Sequence, residues 1–366
     1  MTLKTLLVYP GPLHSTRDCA AYYLDAMRND DYIDAQPFNY HNVLAYHYAG
    51  VKTLRPDLSD TDAQIISQSR GSRELLAEIA HFIPDFLFVV AGTMIPIDTW
   101  YYVLNLRSNF KKKFGIALYL TECPYLDTMQ MQFARFADVL FLNDKISLRT
   151  FDPFDNKHVY YLPHSYNHKV HYKRMNMIDE VTSDVLFCGT AFAERVDLLS
   201  KVDWTGIDFR LMGVWKDYTK LAPYVVHDAM VTNESLATWY SGAKISLNIH
   251  RTRADIDESV PELNNYTDAY SMNPRIREAV MCGSFVLTDF RQEIVDVFGD
   301  TVEIYNDAKD MEDKIKFWLH RDNESLREER IVAAQELIKN HSFNDRLESI
   351  VFPVLNQIVE GDYYHG

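Results

Sequence analysis

Arg275 and Glu278 stand three residues apart in Asn273-Pro-Arg-Ile-Arg-Glu-Ala-Val-Met-Cys-Gly283. At that spacing a cation and a carboxylate share one helix face. Near a helix N-terminus, where unpaired amides favour negative charge, the pair suits an anionic ligand that also carries hydroxyls. The same spacing equally makes an ordinary surface ion pair. Pro274 fits a first helical turn, Asn273 before it can cap, and Gly283 can stop the helix ahead of an apolar strand, Ser284 to Thr288.

Other chemistry-bearing residues fall just after apolar runs. Phe187-Cys-Gly189 leads into a helix start with Arg195 about one turn in; the glycine permits close approach and the guanidinium can reach a diphosphate bidentately. Alternatively, Arg195 is a helix-surface cation. Asn248 lies inside the apolar run Ile245 to Ile249, where a buried amide must be hydrogen-bonded. His250 and Arg251 follow it. Glu122 ends the run Gly115 to Leu120 in Thr-Glu-Cys-Pro-Tyr125, where partial burial suits a carboxyl to proton transfer and a turn equally uses one structurally. After the first run comes Pro10-Gly11-Pro-Leu-His14-Ser15-Thr16. Gly11 lets amides approach a ligand, Ser15 or Thr16 can cap the next helix, and His14 titrates near neutral pH and can act as a base.

Positioning these loops requires strands alternating with helices. The first half reads as strands at Leu3 to Tyr9, Phe86 to Ala91, Gly115 to Leu120, Val139 to Leu142 and Val159 to Leu162, with helical stretches between them. A second series starts at Val185. Such alternation predicts parallel sheets covered on both faces, with ligands at the carboxyl ends of the strands. The expected division is a Rossmann-like domain over 1–163, a linker over 164–183, a second Rossmann-like domain over 184–342, and a terminal helical segment over 343–366.

The chain has 366 residues, 47% apolar and 24% charged, which fits two globular domains. A net charge of −15 disfavours broad binding to DNA or an anionic membrane. No apolar run reaches spanning length, and the opening Met-Thr-Leu-Lys-Thr-Leu-Leu-Val-Tyr-Pro is too soon broken for a signal peptide. Cys19, Cys123, Cys188 and Cys282 show no paired spacing, so reduced thiols in a cytoplasm are expected.

Arg275, Glu278, Ala279, Gly283 and Asp289 together resemble the nucleotide-sugar site of GT-B glycosyltransferases of the CgeB-like (spore maturation protein), or glycosyl transferases group 1, family. Thr-Glu-Cys-Pro-Tyr125 is similar to that family's Thr-Glu-Ser-Pro-Tyr, and Leu247-Asn-Ile-His250 to its Leu-Asn-x-His. The resemblance implies two facing doubly wound domains around a cleft and a terminal helix crossing back to the first. It further implies a nucleotide-diphosphate sugar, most simply a UDP-sugar, as substrate, with no metal and no cofactor. Donor contacts would come from Gly189, Arg195, Asn248, His250, Arg251, Arg275, Glu278 and Gly283. Glu122 or His14 would handle the acceptor proton beside Gly11, Ser15, Thr16 and Tyr125. Many retaining members carry a second glutamate eight positions before the ribose-binding one; here Tyr270 stands there, leaving the stereochemical course open.

Two other patterns compete. Asp255-Ile-Asp257 has the form of a metal-binding Asp-x-Asp, and His164, His168 and His171 would align as zinc ligands on a helix that the surrounding residues do not favour. The acceptor is unreadable: a saccharide, a protein, a metabolite or a hydroxymethylated DNA base all fit. A non-catalytic nucleotide-sugar binder and a GT-B nucleotide-sugar epimerase are the alternatives.

Overall fold

The computed structural model describes residues 2–11, 17–152, 158–215, 220–251 and 269–360. Its contacts divide the chain into two units, Met1–Pro163 with Phe343–Gly366, and His164–Ser342. In the first unit the elements are β1 (Leu3–Tyr9), α1 (Arg17–Arg28), β2 (Ile33–Asn39), α2 (Tyr40–Leu54), α3 (Asp60–Phe82), β3 (Phe86–Val90), α4 (Ile97–Ser108), β4 (Gly115–Leu120), α5 (Asp127–Ala134), β5 (Val139–Leu142), α6 (Leu148–Phe151) and β6 (His158–Tyr161). The strands form one parallel sheet in the order β2-β1-β3-β4-β5-β6. Every residue of β3 and β4 is buried, as expected of inner strands with helices on both faces.

The second unit contains β7 (Ser183–Cys188), α7 (Ala193–Ser200), β8 (Phe209–Met212), β9 (Val225–His227), α8 (Asn233–Gly242), β10 (Ala243–Asn248), α9 (Pro274–Met281), β11 (Phe285–Thr288), α10 (Gln292–Phe298), β12 (Glu303–Ile304), α11 (Ala308–Leu319) and α12 (Glu324–Ile338). Its sheet runs β12-β11-β10-β7-β8-β9, again parallel. The alternation of two along each strand divides the core cleanly. Phe187, Leu247 and Leu287 face one layer, while Leu186 and Val286 face another built on Ile276, Ala279 and Val280 of α9.

The segment ahead of β7 belongs to this unit. The Tyr166 hydroxyl donates to the Lys339 carbonyl at 2.8 Å, and Lys173 Nζ to the Gly283 carbonyl at 3.1 Å.

Beyond α12 the chain returns to the first unit as α13 (Phe343–Arg346), one wider turn and α14 (Phe352–Glu360). Phe343 packs between Tyr22 and Tyr23 of α1, with ring centroids 5.3 and 4.9 Å away. The expected return of the terminal helix is therefore present.

The sequence reading misses β2, α2 and β9. In β2 only Ile33 and Phe38 are buried, and Pro37 interrupts the run; an edge strand tolerates proline because one side of it needs no ladder. At the opposite edge of the other sheet, β9 is three residues long and mostly exposed. No helix among the described residues is long and apolar enough to cross a membrane.

Candidate functional site

In the second unit the strand order reverses direction between β7 and β10, the topological switch point at which doubly wound sheets bind ligands. The loops leaving those two strands carry Gly189 and the Asn248–Arg251 stretch. Arg195 comes from α7, and Arg275 from the first turn of α9.

The two arginines converge on Gly189. A Cβ there would stand 3.1 Å from Arg275 Nη2 and 3.2 Å from Arg195 Nη1. Gly213, at φ +117°, keeps the turn tight, since a Cβ on it would lie 2.2 Å from the Gly189 carbonyl oxygen. Arg195 is buried, and donates from Nε and Nη2 to the Ile249 carbonyl (3.2 and 2.8 Å) and from Nη1 to the Thr190 carbonyl (3.0 Å). Both guanidiniums lie over the Phe187 ring. Burial, and then the like charge of Arg275, lowers the Arg195 pKa to about 9, so it stays a cation at neutral pH. Among the described residues both arginines bond only to neutral oxygens, and neither forms an ion pair.

Asn248 is the hub that orients Arg275. Its Oδ1 accepts from Arg275 Nη1 at 2.8 Å and from Asn273 Nδ2 at 2.7 Å, while its Nδ2 donates to Thr288 Oγ1 at 2.9 Å. Asn273 thus spends its side chain on Asn248 and does not cap α9, contrary to the sequence reading. Behind this hub, His250 Nδ1 lies 2.5 Å from Asp289 Oδ1, and the His250 amide donates to the same carboxylate at 3.1 Å. Burial lowers the His250 pKa, against the pull of Asp289. For Asp289, burial raises the pKa but the His250 contacts outweigh it, leaving the carboxyl below its usual range. The pair is a neutral imidazole donating from Nδ1 to an ionised carboxylate. Its Nε2 is then the acceptor facing the Asn273 amide at 3.4 Å.

Glu278 sits one turn along α9 and is buried, so it is not one half of a surface pair with Arg275. His171 Nε2 is 3.9 Å from its Oε1. Cys188, whose thiol burial pushes up to about 11, lies close by as a neutral group. Next to Glu278, the fully buried Arg277 pairs with Glu293 at 2.8 Å, and Glu293 Oε2 also accepts the Met272 amide. Neither residue of that pair was singled out in the sequence; charged side chains at core-facing positions were the available sign.

Gly189, Arg195, Asn248, His250 and Arg275 are thus gathered at one place, with Glu278 on the same helix as Arg275. Arg251, half-buried, leaves β10 and offers its carbonyl to Arg291 Nη2 at 3.2 Å. Gly283 is at the far end of α9, at φ +80° with Lys173 against it, where it closes the helix. In the first unit Glu122 and Tyr125 are half-buried in the turn after β4. Gly11 packs on Asn39, His41 and Asn42, leaving under 3 Å for a Cβ against His41. His14, Ser15, Thr16 and Asp255-x-Asp257 lie outside the described residues. His168 is exposed and His171 buried in a non-helical segment, so the three histidines do not align as ligands. No group of three metal-ligating side chains occurs among the described residues.

Residues 195–351, which begin at the buried arginine and span α9, match the protein family described as glycosyl transferase-like. They form a glycosyl transferase-like domain. The chain containing it is 24% identical over 276 residues to the spore protein CgeB of Bacillus subtilis (strain 168), covering 72% of this chain and 81% of that one. Similar solved structures include trehalose-6-phosphate synthase OtsA, with a TM-score of 0.61 at 11% identity over 97% of this chain and 99% of that one. Another is an alpha-glucosyltransferase in complex with UDP-glucose and DNA containing an abasic site, at a TM-score of 0.61 and 12% identity over 97% and 100%. The fold is GT-B, with the glycosyl transferase-like domain making up most of its second half.

Proposed function

We propose that this protein is a glycosyltransferase that moves a sugar from a nucleoside-diphosphate sugar to a hydroxyl acceptor. The observation that carries the reading is the convergence of Arg195 and Arg275 on Gly189, where among the described residues both bond only to neutral oxygens. Two cations that form no ion pair among the described residues suit a ligand bearing at least two negative charges, and the neighbouring Glu278 suits ribose hydroxyls. As the bond from sugar to diphosphate breaks, negative charge grows on the leaving oxygens. Guanidiniums already fixed by Ile249, Thr190 and Asn248 stabilise it without reorganising, so the reaction needs no metal.

Glu122 accepts the acceptor's proton in this reading, with His14 as the other candidate base. Gly11, Ser15, Thr16 and Tyr125 are assigned to the acceptor in this reading. UDP is the favoured nucleotide, because the alpha-glucosyltransferase of like fold is described with UDP-glucose. The four free cysteines suit a cytoplasmic setting. Although that same relative is described with DNA, a net charge of −15 favours a small or saccharide acceptor here.

The test is nucleotide release from UDP-, GDP-, ADP- and dTDP-sugars by the purified chain, with and without EDTA. Turnover of one donor, insensitive to EDTA and abolished in Arg275→Met, supports the proposal. Binding of a nucleotide with no release of sugar under any condition replaces it with a non-catalytic binder.

A further inference from the structure

We propose that His171 is a positioning residue for Glu278, holding its carboxylate in place for the ribose hydroxyls of a bound nucleotide; this rests on the ribose-binding reading of Glu278 given above. His171 lies far outside the α9 sequence, in the stretch ahead of β7.

A tight turn built by Asn167 presents the imidazole. The Asn167 carbonyl accepts the amides of Val170 (3.0 Å) and His171 (2.7 Å), and its Oδ1 accepts the amide of Lys169 (2.9 Å). The Asn167 amide in turn donates to His171 Nδ1 at 3.0 Å. With Nδ1 committed as acceptor, the proton of the neutral ring is on Nε2. That is the nitrogen 3.9 Å from Glu278 Oε1. The approach is longer than a hydrogen bond and acts as a directed N–H dipole on a carboxylate, in surroundings where the imidazole is 1% exposed and poorly screened.

The turn itself is fixed to the rest of the unit on both sides. Before it, the Tyr166 hydroxyl donates to the Lys339 carbonyl. After it, Lys173 reaches the Gly283 carbonyl, and Ser241 Oγ accepts the Arg174 amide at 3.1 Å. Gly283 closes the helix that carries Glu278, so the strap holds α9 at its end and brings the imidazole to 3.9 Å from Glu278. Burial lowers the His171 pKa to about 3, so the ring is neutral at any pH at which the site works. A filler of similar size would pack as well, but would not offer an acceptor to Asn167 and a donor to Glu278 from opposite edges.

The readout is ribose discrimination, because packing alone would not move it. Dissociation constants for UDP and 2′,3′-dideoxy-UDP are measured by calorimetry on the full chain and on His171→Asn and His171→Gln. Asparagine can keep the Asn167 bond but is too short to reach Glu278; glutamine can reach it. The wild type should prefer UDP by about tenfold or more, the size of a hydrogen bond to a charged group. His171→Asn should bring that ratio within about threefold of one while leaving dideoxy-UDP affinity within about twofold, and His171→Gln should restore most of it. A wild-type ratio retained in His171→Asn overturns the role of His171 alone. Should the wild type fail to distinguish the two nucleotides, the ribose reading of Glu278 falls and the role of His171 with it.

Discussion

Arg275 Nη1 donates to Asn248 Oδ1 at 2.8 Å, and the neutrality of that acceptor leaves the positive charge of Arg275 unspent. Aspartate at 248 would keep the shape and supply a carboxylate against two guanidiniums. At an effective dielectric constant near 20, such a contact is worth several kcal/mol. Asn248→Asp should therefore remain folded yet weaken nucleoside-diphosphate binding by at least about tenfold, as measured by calorimetry.

Gly189→Ala tests the convergence itself. The new methyl would stand 3.1 Å from Arg275 Nη2, 3.2 Å from Arg195 Nη1 and 3.1 Å from the buried Phe187 ring, so both guanidiniums must shift by a few tenths of an ångström. Affinity for a nucleoside diphosphate should fall by about tenfold, the loss of one charge-assisted hydrogen bond.

The Arg277–Glu293 pair is buried on both sides, with side-chain exposures of 0% and 4%. Removing one partner strands the other charge, so Glu293→Ala should cost about 3–5 kcal/mol in denaturant unfolding. The double variant Arg277→Met/Glu293→Leu should recover most of that, because no charge is left buried.

The pH response has a definite sign in each unit. His171, lowered to about 3 in the fold by burial and then by Arg174, binds its proton more readily unfolded. Its contribution is complete above the ordinary histidine range near 6.5 and is lost as pH falls from there toward about 3, at roughly 1.4 kcal/mol per pH unit. His171→Asn should flatten the acid limb of second-unit stability by about one proton. Asp127, in the first unit, behaves oppositely. Burial raises it to about 6, so its contribution is present below the ordinary aspartate pKa and lost as pH rises through about 6. Asp127→Asn should remove that loss, seen as a first-unit transition less sensitive to pH between about 4 and 6.

Most of the architecture was legible because buried strands such as Leu87 to Val90 and Val185 to Phe187 are continuous apolar runs, and the helices between them keep their period. The edge strands β2 and β9 escaped because they bury little: Ile33-Asp-Ala-Gln-Pro-Phe-Asn39 carries no pattern that a loop lacks. In the site, Asn248 was legible as a polar residue in an apolar run. His171 was visible only as one of three histidines with metal-like spacing. The packing of the strap on α9 depends on contacts more than a hundred residues away, for example Lys173 with Gly283. Local spacing carries no trace of them.

The most direct measurement is calorimetric titration of UDP, GDP, ADP and dTDP into the wild type and into Arg195→Met, Arg275→Met and Glu278→Ala. The paired guanidiniums predict saturable binding of one diphosphate, weaker by about tenfold or more in each arginine variant, with the corresponding monophosphate bound less tightly. Binding undiminished in both arginine variants, or no binding of any diphosphate, would contradict the assignment of this site to a nucleotide-sugar donor.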